Sequence, residues 1–581
     1  MRVTLALTIL LALPAFAHAA PPNVVLIMTD DQGYGDFGAT GNAVIETPHL
    51  DAMAARSTWM RTFYVSPVCS PTRASLMTGR YNYRTRCIDT YLGRSMMEPE
   101  ETTLAEVLRD AGYATGIFGK WHLGDNYPMR AIDQGFEEAL IHRGGGLGQP
   151  ADPPENQRRY TNPILMHNGE PIQTTGYCTD VYFDAAMKWI EQSKADNRPS
   201  FTYIATNAPH GPYHDVPEDL RKHYQNKDLR SLMIAPPASA DSLDRNLDQM
   251  ERIAAMITNV DQNVGRLFAK LDQLHLTEDT LVIFLVDNGP NTARYVGPFR
   301  GSKSQIHEGG VRSPLWMHWP GKLEAGYERA EAAAHIDLMP TILDACGVIA
   351  PTAHHFDGRS FWGLAIQTNT EWPTRPLVLQ THRGDQPVRY HHFMLRQDDW
   401  KLLHNSGFGR EFFQGAPKFE LYNLADDPRE EKNLAEAQPE VVTQLRAAYD
   451  AWFDDVSSTR PDNYAPPRIQ IGTPHENPTV LTRQDWRGGT WNRNSIGEWL
   501  VSLEAGTYEI TAVFEADTAP ETLELRVGDT LHNAPVPANT DRVVIQELKL
   551  SGGSVAVRAV LQTPGRERGV HQLVLGHQPT P

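Results

Sequence analysis

Short runs of β-branched and aliphatic residues recur between Asn23 and Gly289, and each is separated from the next by a segment with helical apolar spacing. The run "NVVLIMTDD" ends in Asp30-Asp31, and "ETTLAEVLRDAGY" then places Leu104, Val107, Leu108 and Ala111 on one helical face. "ATGIFGKWH" follows, then helix-like "YFDAAMKWIEQ", then "SFTYIATNAPH". A further helix candidate, "MERIAAMITNVDQNVGRLFAKLDQL", leads into "DTLVIFLVDNG". Strands alternating with helices rather than with hairpin turns require crossover connections. They predict an α/β fold with a large, mostly parallel sheet sandwiched by helices.

In such a sheet, ligands bind beyond the carboxyl ends of the strands. Asp30, Asp31, His122, His210, Asp287 and Asn288 all follow the ends of apolar runs. A single Asp or Asn there is the usual cap of the following helix. Three acids at two such ends, Asp30-Asp31 and Asp287, need a counter-charge as well, because like charges packed together are costly. Carboxylates and an amide, without a thiolate or imidazole pair, suit a hard cation such as calcium or magnesium. "GKWH" sets Lys120 and His122 in a Gly-flanked turn, "APHGP" presents His210, and "FRGSKSQIHEGGVR" carries Arg300 and Lys303. Arg73, Lys120, Lys303 and the histidines facing a metal would form a pocket for a tetrahedral oxyanion.

At 581 residues the chain exceeds what one core organises, and 40% hydrophobic residues are enough for several packed units. Acidic residues outnumber basic ones, 71 to 53, for a formal net charge of -18. That balance excludes nucleic acid as the expected partner, since phosphate neutralisation needs a basic face, while a local cationic cluster still admits an anionic substrate. The N-terminus, "MRVTLALTILLALPAFAHAA", has a charged start, an apolar stretch and a small-residue exit. It reads as a signal peptide over 1–19, so an exported, periplasmic or secreted protein is expected. No later segment is long and apolar enough for a membrane span. Four cysteines (Cys69, Cys87, Cys178, Cys346) are too few for a disulfide scaffold.

The catalytic α/β domain is expected over 22–370, followed by a small α+β subdomain over 371–456. The latter contains strand-like "HHFMLRQDDWKLLH" and "FELYNL" and a helix near Val441–Trp452. Residues 457–478, rich in Pro and polar residues, read as a linker. Period-two runs such as "EWLVSL", "GTYEITAVFEA" and "SVAVRAVLQ" then predict an all-β sandwich-like appendage over 479–581. Its Trp486, Trp491 and Trp499 would either stack on sugar rings or fill the core.

Cys69-Ser70-Pro71-Thr72-Arg73, followed by "ASLMTGRYNYR", resembles the active-site signature of type I sulfatases. These are the formylglycine-dependent branch of the alkaline phosphatase superfamily. "GKWHLG" is similar to their second signature, and "DDQGYGD", "APHGPY", "DNG" and "RGSKSQIHEGGVRSP" match further blocks in the same order. "FELYNLADDPREEKNLA" resembles their closing strand and acidic loop, so the likeness covers roughly Pro22 to Trp452.

The resemblance implies an alkaline-phosphatase-like fold and hydrolysis of sulfate esters. It implies that a formylglycine-generating maturation enzyme oxidises Cys69 to formylglycine, whose hydrate attacks sulfur with one hydroxyl and expels sulfate through the other. Asp30, Asp31, Asp287 and Asn288, with residue 69, would bind one calcium ion, and Asp287 would also activate the attacking hydroxyl. Arg73 and Lys120 would orient residue 69 and neutralise the sulfate. His122 would act as base, and His210 with Lys303 would serve the leaving oxygen. His142, Arg143, His214 and Arg294 are the candidates for substrate contacts, and ordinary loop polarity explains them equally well. The expected substrate is a sulfated polysaccharide or oligosaccharide, or an aryl sulfate. A phosphatase or phosphonate monoester hydrolase on the same fold, and an inactive glycan-binding protein, remain alternatives.

Overall fold

The computed structural model describes residues 21–578 apart from 238, 369–370, 461–463 and 493. The expected signal peptide lies outside the described residues. The main sheet takes β1 (Asn23–Thr29), β2 (Thr58–Tyr64), β3 (Ala114–Lys120), β4 (Glu138–His142), β5 (Ile164–His167) and β6 (Glu170–Gln173). It is completed by β7 (Ser200–Ala205), β8 (Thr280–Val286), β9 (Arg312–Ser313), β10 (Leu315–His318) and β11 (Glu328–Ala334). Its 11 strands run β11-β2-β10-β8-β1-β7-β3-β4-β5-β6, with β9 on β2. The stretch β8-β1-β7-β3-β4 is parallel throughout. Every residue of β3, β7 and β8 is buried, as a sheet covered on both faces requires. One apolar layer centres on Leu26, Phe63, Leu104 and Ile342, the other on Ile27, Phe183, Val260 and Phe284. The four central strands are the four apolar runs read from the sequence, because burial on both faces leaves each as a continuous aliphatic stretch.

The expected helices are also present, at Leu104–Asp110, Cys178–Ala195, Ala240–Gln273 and Pro439–Ser457. The first begins in a capping box: Thr103 Oγ1 accepts from the Glu106 N–H, and the Glu106 carboxylate accepts from the Thr103 N–H.

A second sheet of β12 (Leu377–Gln380), β13 (Phe393–Gln397), β14 (Trp400–His404) and β15 (Glu420–Asn423) is antiparallel. Asp398 turns β13 into β14 with φ 54. The β-appendage contains β16 (Ile469–Ile471), β17 (Thr479–Thr482), β18 (Glu498–Leu503), β19 (Gly506–Val513) and β20 (Glu521–Val527). It continues with β21 (Thr530–Val536), β22 (Arg542–Leu550), β23 (Gly553–Thr563), β24 (Arg566–Gly569) and β25 (Gln572–Gln578). Six of these form the sheet β16-β18-β23-β20-β21 with β24 on β23, and four form β17-β25-β19-β22. Trp486 and Trp499 lie fully buried in the core of this domain, which decides against sugar stacking for both. Pro535 places β21 at a sheet edge, where a missing N–H is tolerated.

The stretch 457–478 differs from the expected linker. Its β16 pairs with β18, the Gln470 N–H donates to the Tyr127 carbonyl at 3.1 Å, and Glu476 accepts from the Tyr127 N–H at 2.9 Å. Polar, Pro-rich composition signals irregular backbone. It does not reveal that the polar groups are spent on a neighbouring domain. All four cysteines are buried and unpaired. Among the described residues no helix is long and apolar enough to cross a membrane.

Candidate active site

Cys69 is the first residue of the helix Cys69–Thr78, every residue of which is buried. Pro71 falls in its first turn, where a missing N–H breaks no intrahelical bond. Gly79 closes it in the left-handed conformation, φ 65. The spacing of four puts Cys69 and Arg73 on one face of the helix. Thr72 Oγ1 donates to the Asp287 carbonyl at 2.7 Å, fastening this helix to the end of β8.

Around the helix N-terminus three acids and three cations interlock. Arg73 donates to Asp287 Oδ2 at 2.8 Å and to the Lys120 carbonyl at 2.9 Å. Lys120 Nζ, at the end of β3, meets Asp30 Oδ2 at 2.6 Å with both side chains fully buried. Lys303 Nζ lies 2.5 Å from Asp31 Oδ1 and 3.6 Å from Cys69 Sγ. Asp31 takes φ 61, a conformation open to aspartate, and its N–H donates to Asp287 Oδ1 at 3.2 Å. Asn288 Nδ2 donates to Asp31 Oδ1 at 2.9 Å. Burial raises the Asp31 carboxyl, but Lys303 and His210 outweigh it and hold the group well below the usual carboxylate range. Burial and the Asp30 charge push Asp287 up to about 7, against Arg73. Burial also raises the Cys69 thiol, against Lys120 and Lys303.

Three buried oxygens of this cluster, Asp30 Oδ1, Asp31 Oδ2 and Asn288 Oδ1, have no hydrogen-bond partner among the described residues. Cys69 Sγ and carboxylate oxygens of Asp30 and Asp287 lie within 4.8 Å of one another. Orphaned carboxylate and amide oxygens converging beside a cationic wall fit a hard divalent cation.

The two histidines expected here flank the cluster. His210 Nδ1 lies 2.6 Å from the Gly211 carbonyl, so that nitrogen carries the proton, and Nε2 faces Asp31 Oδ2 at 3.7 Å. Burial lowers the His210 pKa to about 4, with Asp31 opposing. His122 Nε2 donates to the Thr90 carbonyl at 2.8 Å, while its Nδ1 is buried without a hydrogen-bond partner among the described residues. Burial, with Lys120 and Arg73, holds His122 well below the ordinary histidine range.

The four candidate substrate residues separate. His142, at the end of β4, is buried, with Nδ1 on the Arg143 carbonyl at 3.0 Å and Nε2 without a hydrogen-bond partner among the described residues. Arg143 turns away and donates to the Val480 carbonyl of the β-domain at 3.0 Å. His214 is exposed. Arg294 is 1% exposed and grips Asp36 through Nε and Nη2 at 2.8 and 2.5 Å. Its guanidinium is committed to the turn after β1, which corrects the expectation that it meets substrate. The sequence reading passed over Gln32 and Asn207, whose buried side-chain amides lack partners among the described residues. Both follow strand ends, the signal that found their neighbours. The Gly-rich stretch "IHRGGGLGQP" after β4 also reaches the histidines: at Gly145 a Cβ would stand 2.6 Å from His122 Cε1, and at Gly146 one would stand 3.0 Å from His210 Nδ1.

Comparison with known proteins gives a consistent pattern. The family model described as Sulfatase matches residues 22–348, and that described as N-sulphoglucosamine sulphohydrolase, C-terminal, matches 301–451. N-acetylgalactosamine-6-sulfatase of Canis lupus familiaris is 32% identical over 393 residues, 63% of this chain and 69% of that protein. Arylsulfatase A of Homo sapiens is 32% identical over 484 residues, 76% of this chain and 89% of that protein. The crystal structure of Ps i-CgsB in complex with k-i-k-neocarrahexaose superposes with a TM-score of 0.64 at 26% identity, covering 74% of this chain and 92% of that one.

Proposed function

The chain belongs to the sulfatase family and is a sulfuric ester hydrolase, and from that premise we propose that it hydrolyses sulfate esters of carbohydrates at the Cys69 cluster. The observation that carries this assignment is the convergence of Cys69, three carboxylates and three cations at the carboxyl ends of β1, β3 and β8. With residue 69 converted to formylglycine and calcium held by Asp30, Asp31, Asp287 and Asn288, the site would supply an oxygen nucleophile and a charge sink for the sulfate.

The chain's own residues do the rest. Lys303, 3.6 Å from Cys69 Sγ, and Lys120, paired with Asp30 in the same cluster, offer ammonium groups to the sulfate oxygens. Arg73 fixes both the Asp287 carboxylate and the Lys120 backbone, so the two elements cannot drift apart. His122, protonated on Nε2, keeps an Nδ1 lone pair that accepts a proton. His210 presents Nε2, and a sulfate anion beside it favours the imidazolium that protonates a departing alcohol.

The carbohydrate assignment draws on the relatives: one acts by name on N-acetylgalactosamine 6-sulfate groups, and another was solved with a neocarrahexaose. Export is proposed from the pattern of residues 1–19. The test is a parallel assay of sulfated mono- and oligosaccharides against phosphate and phosphonate monoesters. Sulfate release should dominate; phosphate turnover higher by orders of magnitude would overturn the proposal.

A further inference from the structure

Residues 79–103, between the Cys69 helix and Leu104, contain neither helix nor strand. With no ladder of its own, the segment must be positioned from outside, and the C-terminal β-domain does this. Leu92 and Met96 are buried in one apolar cluster with Leu481, Trp486 and Trp499. The Gly93 N–H donates to the Gln484 carbonyl at 3.0 Å. The Arg487 guanidinium donates to the Leu92 carbonyl, and Tyr91 meets Trp491 edge-to-face at 5.3 Å.

The innermost of these contacts reaches the active site. Gln484 Nε2 donates to the Thr90 carbonyl at 3.0 Å and to Ser95 Oγ at 3.3 Å. The same Thr90 carbonyl receives His122 Nε2 at 2.8 Å. A carbonyl oxygen offers two acceptor sites and cannot donate. One site takes the imidazole, whose proton therefore sits on Nε2 with the lone pair on Nδ1, and the other takes the β-domain amide, which holds the carbonyl in place.

We infer that Gln484 is a positioning residue for sulfate ester hydrolysis: through the chain Gln484–Thr90–His122 the β-domain sets the orientation of His122. The β-domain is then a wall of the active site and not a detachable module. This rests on the reading of His122 as an active-site base.

The test is a double-mutant cycle on kcat and KM for an aryl sulfate, with Gln484→Ala, Gln484→Glu, His122→Ala and the Gln484→Ala/His122→Ala pair, each checked for its denaturation midpoint. Gln484→Ala should lower kcat by about 10–100-fold, the usual cost of losing a group that orients a catalytic residue, with KM within about twofold. Gln484→Glu keeps the size but turns an acceptor toward an acceptor, so it should lose as much while retaining the fold. In the His122→Ala background Gln484→Ala should add nothing further. Wild-type kcat in Gln484→Glu, or the same fold-loss with and without His122, would overturn the inference alone. Wild-type kcat in His122→Ala would instead overturn the assignment of His122.

Discussion

Arg294 shows how one buried side chain can be misplaced from sequence and then explained. It holds Asp36 with two nitrogens, and Nη2 also reaches the Asp31 carbonyl at 3.2 Å. The pair therefore ties off the turn that delivers Asp31 to the site. Arg294→Ala leaves Asp36 buried and uncompensated, which should cost about 3–5 kcal/mol of stability, read as a lowered denaturation midpoint. An unchanged midpoint with a raised KM would return Arg294 to the substrate. Asp30, Asp31 and Asp287 were readable because each follows an apolar run within two positions. Arg294 lies in a polar loop where an ion-pairing arginine and a substrate-binding one look alike until the partner is seen.

Among elements, the loop after β4 passes directly against the two histidines. The main chain at Gly145 and Gly146 passes so close to His122 and His210 that a methyl group at either position meets an imidazole at 2.6 or 3.0 Å. Glycine is needed there for close approach. Gly145→Ala should displace the His122 ring and lower kcat by about 10–100-fold, the scale of a 1 Å misplacement, with little change in thermal stability. Full activity in Gly145→Ala would show that the ring moves freely. The Gly-rich stretch was visible as composition. The imidazoles it touches were not, because His122 follows β3 and His210 follows β7, two other elements.

Across the whole molecule, the parallel sheet was legible because each central strand carries its own continuous apolar signal. The union of the two domains was not: Gln484 and Thr90 are 394 positions apart, and neither is unusual in its local sequence. Global packing also sets the acid limit of the protein. Burial lowers His335 to about 3, and burial with His391 lowers His382 to about 3. Below pH 6.5 the unfolded chain takes up protons at these two positions that the folded chain refuses, so their contribution to stability falls as pH drops from 6.5 toward 3, while buried carboxyls such as Asp89 and Asp152, each raised to about 6, act in the opposite sense. By pH 5.5 the loss should be about 1 kcal/mol per such histidine, measured as the difference in the pH dependence of the urea midpoint between the wild-type chain and His335→Asn; parallel dependences from pH 7 to 5 would contradict it. The central claim, that residue 69 performs the hydrolysis, is tested most directly by sulfate release from an aryl sulfate. The assay compares the wild-type chain, produced with a formylglycine-generating enzyme, with Cys69→Ala at a matched denaturation midpoint. The account predicts that the variant loses roughly 10³-fold or more of the turnover; wild-type rates of sulfate release from Cys69→Ala would contradict it.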